Sequence, residues 1–381
     1  MKMGKIQNRI LFIVSEDWYF VSHRLELAIK SIEKGYNVAL LSRYHKDKTM
    51  IENLGIQTID WTLDRSSKNI FKETIAIKNV VTAINAFKPH LVHSVAFKPV
   101  LYSAIGCYIK KIDNRIFALA GLGYVFSSSS IKAKIIQFVL KKVMKKMLMG
   151  NKTRLILQNP NDVTVLESSN LIAKNKIRLI RGAGVNVDKF FYKELPIKTF
   201  NVVLSSRMLY SKGIEDFKEC AKIIGGLSKH IKFQIVGKPD EHNPDSIPLN
   251  VLNKWSKAEN FEYKGFRNDM VKILHESSLV CLPTSYGEGI PKALLEGASC
   301  GRPIIAYDVP GCREIVEHGH NGFLIERKNI NSLADAIYTL YQNYRLCVKM
   351  GQNGRRIIEK NFTTEIIVSK TQKVWEELLI R

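Results

Sequence analysis

Short apolar segments alternate with amphipathic helical segments in both halves of this 381-residue chain. The first half predicts strands at 9–14, 38–41, 90–93, 115–119, 151–157 and 176–180. The second half predicts strands at 200–204, 232–236, 261–263, 279–282 and 303–306. Strands that alternate with helices predict a parallel, doubly wound sheet. Because the chain is also longer than one typical hydrophobic core, we expect an α/β protein with two Rossmann-like domains.

The domain boundary is predicted where periodicity is lost. Glycines interrupt the pattern at 181–188, and a proline-containing linker follows at 195–198 before the second half begins. We therefore expect an N-terminal domain over 1–185, a second domain over 186–363 and a C-terminal helical segment over 364–381.

Two carboxylates, Glu288 and Glu296, flank a Gly-Ile-Pro turn that opens a predicted helix. Pro291 suits the first helical position, and such a helix start offers amide N–H groups to a phosphate. Carboxylates on either side can accept hydrogen bonds from diols, so the stretch fits the sugar, diphosphate and ribose of a sugar nucleotide. The alternative is an ordinary amphipathic helix with solvated glutamates, in which the apolar residues at 293–295 pack inward.

Two cations stand in the turn after the predicted strand at 200–204, before a helix that starts near Glu215. Arg207 offers a planar fork of donors and Lys212 a point charge. Both side chains suit a diphosphate.

Seven short motifs in the second half together resemble those of one enzyme family. They lie at 206–207, 212–213, 233–237, 263–266, 288–296, 300–303 and 321–324. In their order and spacing they resemble the retaining GT-B glycosyltransferases of the large family 4. The resemblance implies two facing Rossmann-like domains with a cleft between them, and a C-terminal helix that crosses back to the first domain.

The resemblance also implies roles for individual residues. Arg207 and Lys212 would hold the donor diphosphate and stabilise the leaving group, Glu288 would contact the donor sugar, and Glu296 would bind the ribose. The base would lie against the backbone near Gly265 and Phe266. The helix start that would face the diphosphate comprises Gly289, Ile290, Pro291, Lys292 and Ala293.

Acidic residues are not spaced as metal ligands. The cluster at 240–245 has no compelling metal spacing, and neither has any other acidic group of the sequence. Arg207, Lys212 and the helix start must then neutralise the diphosphate, so we expect a metal-independent enzyme without a cofactor.

The acceptor side is predicted from the first domain. The segment 15–24 after the first strand reads as a loop without glycines, whose aromatic residues 18–20 could stack on a sugar, line a lipid path or simply bury between the domains. Candidate acceptor residues are Trp18, Tyr19, His23, His93, Gly121 and Gly123. For His93, a hydrogen-bonded strand-end histidine is the interpretation we favour. These features resemble the subgroup that adds early sugars to polyprenyl-diphosphate glycans in bacterial N-glycan and O-antigen assembly.

The net charge of +23 is concentrated in the first domain. Residues 1–185 carry 30 Lys and Arg against 12 acids, whereas residues 186–381 carry 28 against 23. A predicted helix at 131–148 combines a core stripe with an arc of lysines and apolar residues, which is typical of a helix on an anionic membrane surface. The candidate membrane contacts are Ile131, Lys134, Ile135, Phe138, Lys141, Lys142 and Lys145. A solvated lysine face is the alternative, and no nucleic-acid-binding signature accompanies the charge.

Cysteine usage and hydropathy bear on the compartment. The six cysteines are scattered, which argues against a disulfide framework or a zinc cluster and favours reducing cytoplasm. The apolar run at 10–14 is too short for a signal peptide, and no segment approaches the roughly 20 apolar residues of a spanning helix. We expect a cytoplasmic protein, peripheral on the inner face of the cell membrane.

Three classes of function follow. The leading prediction is a retaining transferase that moves a hexose or N-acetylhexosamine from a UDP-sugar to a polyprenyl-diphosphate-linked saccharide. The second is a GT-B enzyme with a soluble acceptor, or a nucleotide-sugar epimerase. The third is a non-catalytic basic binding protein. The set of Arg207, Lys212, Glu288 and Glu296 favours the first class, while the donor sugar, the acceptor and the linkage stay open.

Overall fold

The structure, a computed structural model, describes residues 7–64, 67, 69–121, 145, 150–168, 172–241, 243–285, 287 and 289–379. The chain forms two compact units. Unit 1 comprises Met1–Ala183 and Thr364–Arg381, and unit 2 comprises Gly184–Thr363. Each unit is built on a parallel sheet with flanking helices, so the predicted α/β class with two Rossmann-like halves is confirmed.

Unit 1 contains, among the described residues, a seven-stranded sheet with the strand order β3-β2-β1-β4-β5-β6-β7. Its strands are β1 (Arg9–Glu16), β2 (Asn37–Arg43), β3 (Gln57–Asp60), β4 (Leu91–Val95), β5 (Arg115–Leu119), β6 (Thr153–Leu157) and β7 (Ile177–Leu179). Its first helices are α1 (Asp17–His23), α2 (Leu25–Glu33), α3 (Lys48–Asn53), α4 (Ile70–Phe87), α5 (Phe97–Ile109) and α6 (Pro160–Ser168).

Unit 2 contains, in the part of it that is described, a six-stranded sheet with the order β10-β9-β8-β11-β12-β13. Its strands are β8 (Phe200–Ser205), β9 (Ile231–Val236), β10 (Phe261–Tyr263), β11 (Leu279–Leu282), β12 (Ile304–Tyr307) and β13 (Gly322–Ile325). Its helices are α7 (Ile214–Gly225), α8 (Leu249–Trp255), α9 (Met270–His275), α10 (Lys292–Ser299), α11 (Pro310–Arg313), α12 (Ile330–Gln342) and α13 (Tyr344–Asn361).

The central strands are buried on both faces because helices cover both sides of each sheet. In β1 the four residues from Ile10 to Ile13 are completely buried, and Phe12 lies in register with Leu40 of β2 and His93 of β4. Continuous apolar runs of this kind are expected for parallel sheets. They explain why periodicity in the sequence indicated the interior strands.

The last helix, α14 (Thr364–Leu379), packs against unit 1. Trp375 is fully buried and its indole N–H donates to Nδ1 of His93 over 3.1 Å. Gln372 donates to the hydroxyl of Ser31 over 3.0 Å. At the exposed end, Glu377 accepts from Arg178 and Arg154, and these hydrogen bonds lower the pKa of the Glu377 carboxyl. The C-terminal segment is thus fixed to the rest of unit 1 by burial, two buried hydrogen bonds and an ion-pair cluster.

The segment that follows β1 differs from the loop expected at 15–24. It forms helix α1, followed directly by Arg24 and helix α2. Phe20 is fully buried, with its ring centroid 5.6 Å from that of Phe12, so it belongs to the core rather than to a ligand surface. The aromatic residues of this segment are therefore divided between the interior and the surface.

Helix α13 provides a matched test of how tightly unit 2 is packed. Gly351→Ala is expected to destabilise the protein by about 2 kcal/mol or more, because the added Cβ would overlap the carbonyl oxygen of Gly301. Gly354→Ala in the same helix is the control, since its Cβ would lie 3.5 Å from Cβ of Ala298, and alanine favours helix over glycine. Urea unfolding followed by circular dichroism measures both. Equal midpoints for the two variants would contradict the close packing of α13.

Candidate functional site

The carboxyl ends of the unit 2 strands meet at one edge of the sheet, where ligands bind in folds of this kind. The loop after β8 passes through a 3₁₀ turn, Tyr210–Lys212, and reaches Gly213 with φ of 74°. A Cβ at Gly213 would overlap the carbonyl oxygen of Pro283, so this close approach requires glycine. Here the amide of Ser285 donates to the carbonyl of Ser211 over 2.9 Å. The loops after β8 and β11 are thereby joined.

The loop after β9 lies equally close to the loop after β8. A Cβ at Gly237 would overlap the carbonyl oxygen of Ser206. The amide of Met208 donates to the carbonyl of Lys238 over 3.1 Å, and the amide of Gly237 donates to the carbonyl of Gly265 over 2.9 Å. Backbone contacts therefore connect the segments after β8, β9 and β10.

Arg207 is held in place by a carboxylate that the sequence did not single out for this purpose. Its Nη1 donates to Oδ2 of Asp240 over 2.8 Å, and its side chain is still 37 % exposed. An ion pair of this geometry orients the guanidinium while part of its donor fork stays open to solvent. A second acid of the same loop, Asp245, accepts from the amide of Ser211 over 3.0 Å and from its hydroxyl. Both acids support the cationic loop.

Lys212 ends the 3₁₀ turn and is 7 % exposed. A lysine in such a position acts in a medium of low effective dielectric, where its attraction for an anion is stronger than in water. Lys212 and Arg207 therefore bring positive charge to the same edge of the sheet. This pair is the cationic part of the candidate site.

Helix α10 carries the next part of the site. It begins at Lys292, so Pro291 is the N-cap residue rather than the first helical residue, with φ of −64° and ψ of 120°. The carbonyl of Pro291 accepts from the amide of Leu294 over 3.1 Å. Ile290, just before it, is 9 % exposed. Pro291 thus directly precedes the helix that follows β11, and the N-terminus of this helix carries positive partial charge.

Glu296 is the fifth residue of this eight-residue helix, and its side chain is 14 % exposed. Burial raises the pKa of the Glu296 carboxyl, while Lys292 and Lys189 oppose the increase. The Nζ of Lys292 lies 3.6 Å from Oε1 of Glu296. The neighbouring side chains of Leu294 and Leu295 are buried, so the apolar face packs inward as expected. Glu296 is thus a largely enclosed acceptor.

Phe266 provides an apolar surface after β10. Its side chain is 56 % exposed, and Nζ of Lys238 lies 5.6 Å from the ring centroid. The preceding Gly265 has φ of 67°, which turns the chain at the end of the strand. An exposed aromatic ring at a ligand-binding edge can stack on a planar group.

Two of the remaining sequence motifs hold the framework together. Arg302 is fully buried, and its guanidinium donates to backbone carbonyls only. The accepting carbonyls belong to Lys193, Glu194, His275, Ser277 and Cys300. Asn321, also fully buried, donates to the carbonyl of Ile315 over 2.9 Å and accepts from the amide of Glu317 over 2.7 Å. These residues connect loops of unit 2 and are structural.

The acceptor-side candidates lie in unit 1. Trp18 is partly exposed, and the ring of Tyr19 stacks on the ring of His23 with centroids 4.2 Å apart. His93 is 1 % exposed within β4. Its Nδ1 accepts from Trp375, as the hydrogen-bonded interpretation requires, but its Nε2 has no hydrogen-bond partner among the residues that the structure describes. Gly121 follows β5 with φ of 113°.

Several predicted residues lie outside the described residues. They are Glu288, Gly123, Ile131, Lys134, Ile135, Phe138, Lys141 and Lys142. Of the predicted membrane contacts, Lys145 is described, and it is exposed in a helix. Within the described ranges there is no group of three or more His, Cys, Asp or Glu residues that could hold a metal ion. No described helix is both long enough and apolar enough to cross a membrane.

Two glycosyltransferase family models match consecutive parts of the chain. The model "Glycosyl transferase 4-like" matches residues 9–159, and the model "Glycosyl transferases group 1" matches residues 187–357. The chain therefore belongs to the GT-B glycosyltransferases.

Relatives and solved structures agree with this assignment. The chain is 27 % identical over 345 residues to the N,N'-diacetylbacillosaminyl-diphospho-undecaprenol alpha-1,3-N-acetylgalactosaminyltransferase of Campylobacter jejuni, covering 86 % of this chain and 88 % of the relative. It is 26 % identical to the UDP-Gal:alpha-D-GlcNAc-diphosphoundecaprenol alpha-1,3-galactosyltransferase of Escherichia coli, covering 84 % and 86 %. The fold of Anabaena HepE, crystallised with UDP, is similar with a TM-score of 0.77 at 18 % identity, covering 97 % of this chain and all of HepE.

Proposed function

We propose that the protein is a retaining glycosyltransferase that moves a hexose or N-acetylhexosamine from a UDP-sugar to a polyprenyl-diphosphate-linked saccharide in bacterial glycan synthesis. The observation that carries the proposal is the placement of Arg207 and Lys212 in the loop after β8 and of Glu296 in the helix after β11, because β8 and β11 are neighbouring parallel strands of the unit 2 sheet. Two cations and an enclosed carboxylate match the diphosphate and the ribose of a sugar nucleotide.

The diphosphate would lie against Arg207, Lys212 and the start of helix α10. Arg207 is oriented by Asp240, so little reorganisation is needed when the anion arrives. The buried position of Lys212 strengthens its attraction for the negative charge that develops on the departing diphosphate. Because these groups supply the positive charge, the proposal includes metal-independent transfer.

The nucleoside would lie on the side of the diphosphate that is opposite the donor sugar. Glu296 accepts hydrogen bonds from the ribose hydroxyls, and the exposed ring of Phe266 with the turn at Gly265 offers a surface for the base. Glu288, the second carboxylate of the motif, is assigned to the donor sugar from the sequence. Gly289, Ile290, Pro291, Lys292 and Ala293 form the segment between the two carboxylates.

In the front-face transfer proposed here, retention results because the new bond forms on the same face of the donor sugar from which the diphosphate departs. The bond between the anomeric carbon and the diphosphate oxygen breaks, and the acceptor hydroxyl oxygen forms the new bond. The acceptor proton passes to the departing diphosphate oxygen, so the protein need not supply a base. Arg207 and Lys212 stabilise the leaving group throughout.

The acceptor and the nucleotide are proposed from the relatives. The names of the Campylobacter and Escherichia relatives specify saccharides linked through diphosphate to undecaprenol. The Escherichia relative uses UDP-Gal, and HepE was crystallised with UDP. Such an acceptor is embedded in a membrane, which agrees with a cytoplasmic enzyme whose first half is strongly basic and docks peripherally on anionic lipid.

Release of UDP from a small panel of UDP-sugars, with and without a polyprenyl-diphosphate-linked saccharide, tests the proposal. We expect one donor to be used rapidly, only with acceptor present, and equally well in EDTA. Interconversion of two UDP-sugars without UDP release would indicate an epimerase. Binding without any turnover across the panel would indicate a binding protein, and either result contradicts the proposed transfer.

Pelleting with vesicles tests the membrane part separately. The protein should pellet with anionic vesicles and much less with neutral vesicles at low salt, because clustered lysines contribute roughly 1 kcal/mol each near anionic lipid. Equal pelleting with both vesicle types would contradict electrostatic docking.

Lys212→Ala should lower kcat by about 10²- to 10³-fold, the usual effect of removing one electrostatic stabiliser of a developing anion. Lys222→Ala is the control, since Lys222 is an exposed lysine of the adjoining helix α7. Initial rates at saturating donor, together with thermal unfolding midpoints, separate catalysis from folding. Unchanged kcat/KM for Lys212→Ala would remove Lys212 from the proposed site.

Affinity for the donor should fall as the pH is lowered, and the fall should occur at a higher pH than the usual titration range of glutamate. Burial raises the pKa of Glu296, so its ionised form is lost as the pH falls through that raised value. Calorimetric titration with the UDP-sugar identified by the panel measures the donor affinity at each pH. A UDP-sugar is a diphosphate diester without a phosphate ionisation in this pH range, so the ligand does not contribute to the change. Glu296→Gln should bind more weakly and without this pH dependence. An unaltered pH profile in Glu296→Gln would contradict the ribose assignment.

A further inference from the structure

Arg24 is a buried cation in unit 1 with very few partners. It connects helices α1 and α2 and is 7 % exposed. Its Nη1 donates to the carbonyl of His23 over 2.8 Å, while Nε has no hydrogen-bond partner in the described part of the chain. Burial lowers the pKa of the Arg24 guanidinium, although an arginine keeps its charge at neutral pH. A guanidinium has five N–H donors, so most of its bonding capacity is unused by the residues around it.

No carboxylate in the described part of unit 1 forms an ion pair with Arg24. The two acids nearest to it in β1 and α1 have other partners: Glu16 accepts from His45 over 2.8 Å, and Asp17 accepts from the amides at 45–47. The residues of unit 1 outside the described ranges include no Asp or Glu. Burying a cation without an anion is energetically unfavourable. We therefore expect Arg24 to bind an anion that unit 1 does not supply.

His93 supplies a second buried donor in the same region. Because its Nδ1 accepts from the indole N–H of Trp375, the ring proton of the neutral imidazole lies on Nε2. That Nε2 has no acceptor among the described residues. The charge of Arg24 contributes, after burial, to a pKa of His93 well below the usual value. Arg24 and His93 therefore interact electrostatically, and each has a buried nitrogen without a hydrogen-bond partner among the described residues.

The fold places these donors where an anion can be bound. Arg24 immediately precedes the nine-residue helix α2, whose N-terminus carries positive partial charge. Helix α2 begins shortly after the carboxyl end of β1, and β1 pairs with the strand that carries His93. The start of helix α2 follows the carboxyl end of β1, the edge where ligands bind in folds of this kind, and His93 lies two residues before the carboxyl end of β4.

We infer that Arg24, with the Nε2–H of His93, binds a phosphate oxygen of the acceptor, namely the diphosphate that links the saccharide to its lipid. The inference rests on the proposed function for the identity of the acceptor. A guanidinium fork matches phosphate geometry and can donate two parallel hydrogen bonds to phosphate oxygens. The binding energy of this pair also offsets the cost of the buried, uncompensated charge.

Thermal-shift titrations with farnesyl diphosphate, inorganic pyrophosphate and farnesol test the inference, with saturating UDP present to occupy the donor site. The variants are Arg24→Met, which removes the charge at similar volume, and Arg24→Lys, which keeps the charge without the fork. Arg178→Met is the control, because Arg178 is an arginine of the same unit that pairs with Glu377.

The wild type and Arg178→Met should respond to farnesyl diphosphate and, at higher concentration, to pyrophosphate, but not to farnesol. Arg24→Met should need about 30-fold or more farnesyl diphosphate for the same shift, and Arg24→Lys an intermediate amount. A response to pyrophosphate that equals the response to farnesyl diphosphate would locate a free-phosphate site instead and overturn the acceptor assignment. Equal responses of wild type and Arg24→Met to both ligands would overturn the inference as a whole.

The ligand-free protein distinguishes binding from a structural role. Since Arg24 has no counter-ion in unit 1, Arg24→Met should leave the unfolding midpoint unchanged or raise it. A midpoint lowered by more than about 4 °C would assign Arg24 to the core and contradict the inference. If UDP release still requires the polyprenyl acceptor while farnesyl diphosphate never shifts the wild type, the proposed function stands and the inference fails. If no donor is turned over, the proposed function itself fails.

Discussion

The close approach of loops at the carboxyl edge of the unit 2 sheet is the constraint on which the candidate site depends. Gly213 passes against the carbonyl of Pro283 and Gly237 against the carbonyl of Ser206, at distances that no side chain would permit. Because these backbones touch, the segments after β8, β9 and β11 form one connected surface. Arg207, Lys212 and the start of helix α10 are brought to this surface by strands that are far apart in sequence.

Three buried or partly buried arginines of this chain differ in their hydrogen-bond partners. Arg302 is fully buried, and neighbouring backbone carbonyls accept all of its hydrogen bonds, so it serves the framework. Arg207 has one carboxylate partner and an open side, which suits a residue that is positioned for a ligand. Arg24 is buried, with one carbonyl and no carboxylate as a side-chain partner among the described residues of its unit. Burial alone therefore does not identify a functional arginine, whereas the balance of donors and acceptors does.

Much of the fold could be predicted from the sequence because interior parallel strands are continuous apolar runs. The strands Arg115–Leu119 and Phe261–Tyr263 agree with their predicted bounds. The short outer strands Gln57–Asp60 and Gly322–Ile325 were not predicted. The first is rich in polar residues and only partly buried, and the second begins with a glycine of a family motif, so neither has a strong apolar pattern.

The site was predictable in its residue types but not in its supporting contacts. Arg207, Lys212 and Glu296 follow from the motif, and their placement on loops and a helix start follows from the strand pattern. The role of Asp240 did not follow, because an acid 33 residues away from Arg207 gives no local signal of pairing. Helix α1 was also missed, because the segment after the first strand was interpreted as a loop, although Phe20 completes the core.

The most direct test of the account is the anomeric configuration of the product. The coupling constant of the anomeric proton, measured by nuclear magnetic resonance on the glycan released after one transfer from a UDP-α-sugar, reports it. Retaining transfer predicts an α-linked sugar on the lipid-linked acceptor. A β-linked product, or a sugar found only as the free hydrolysis product, would contradict it.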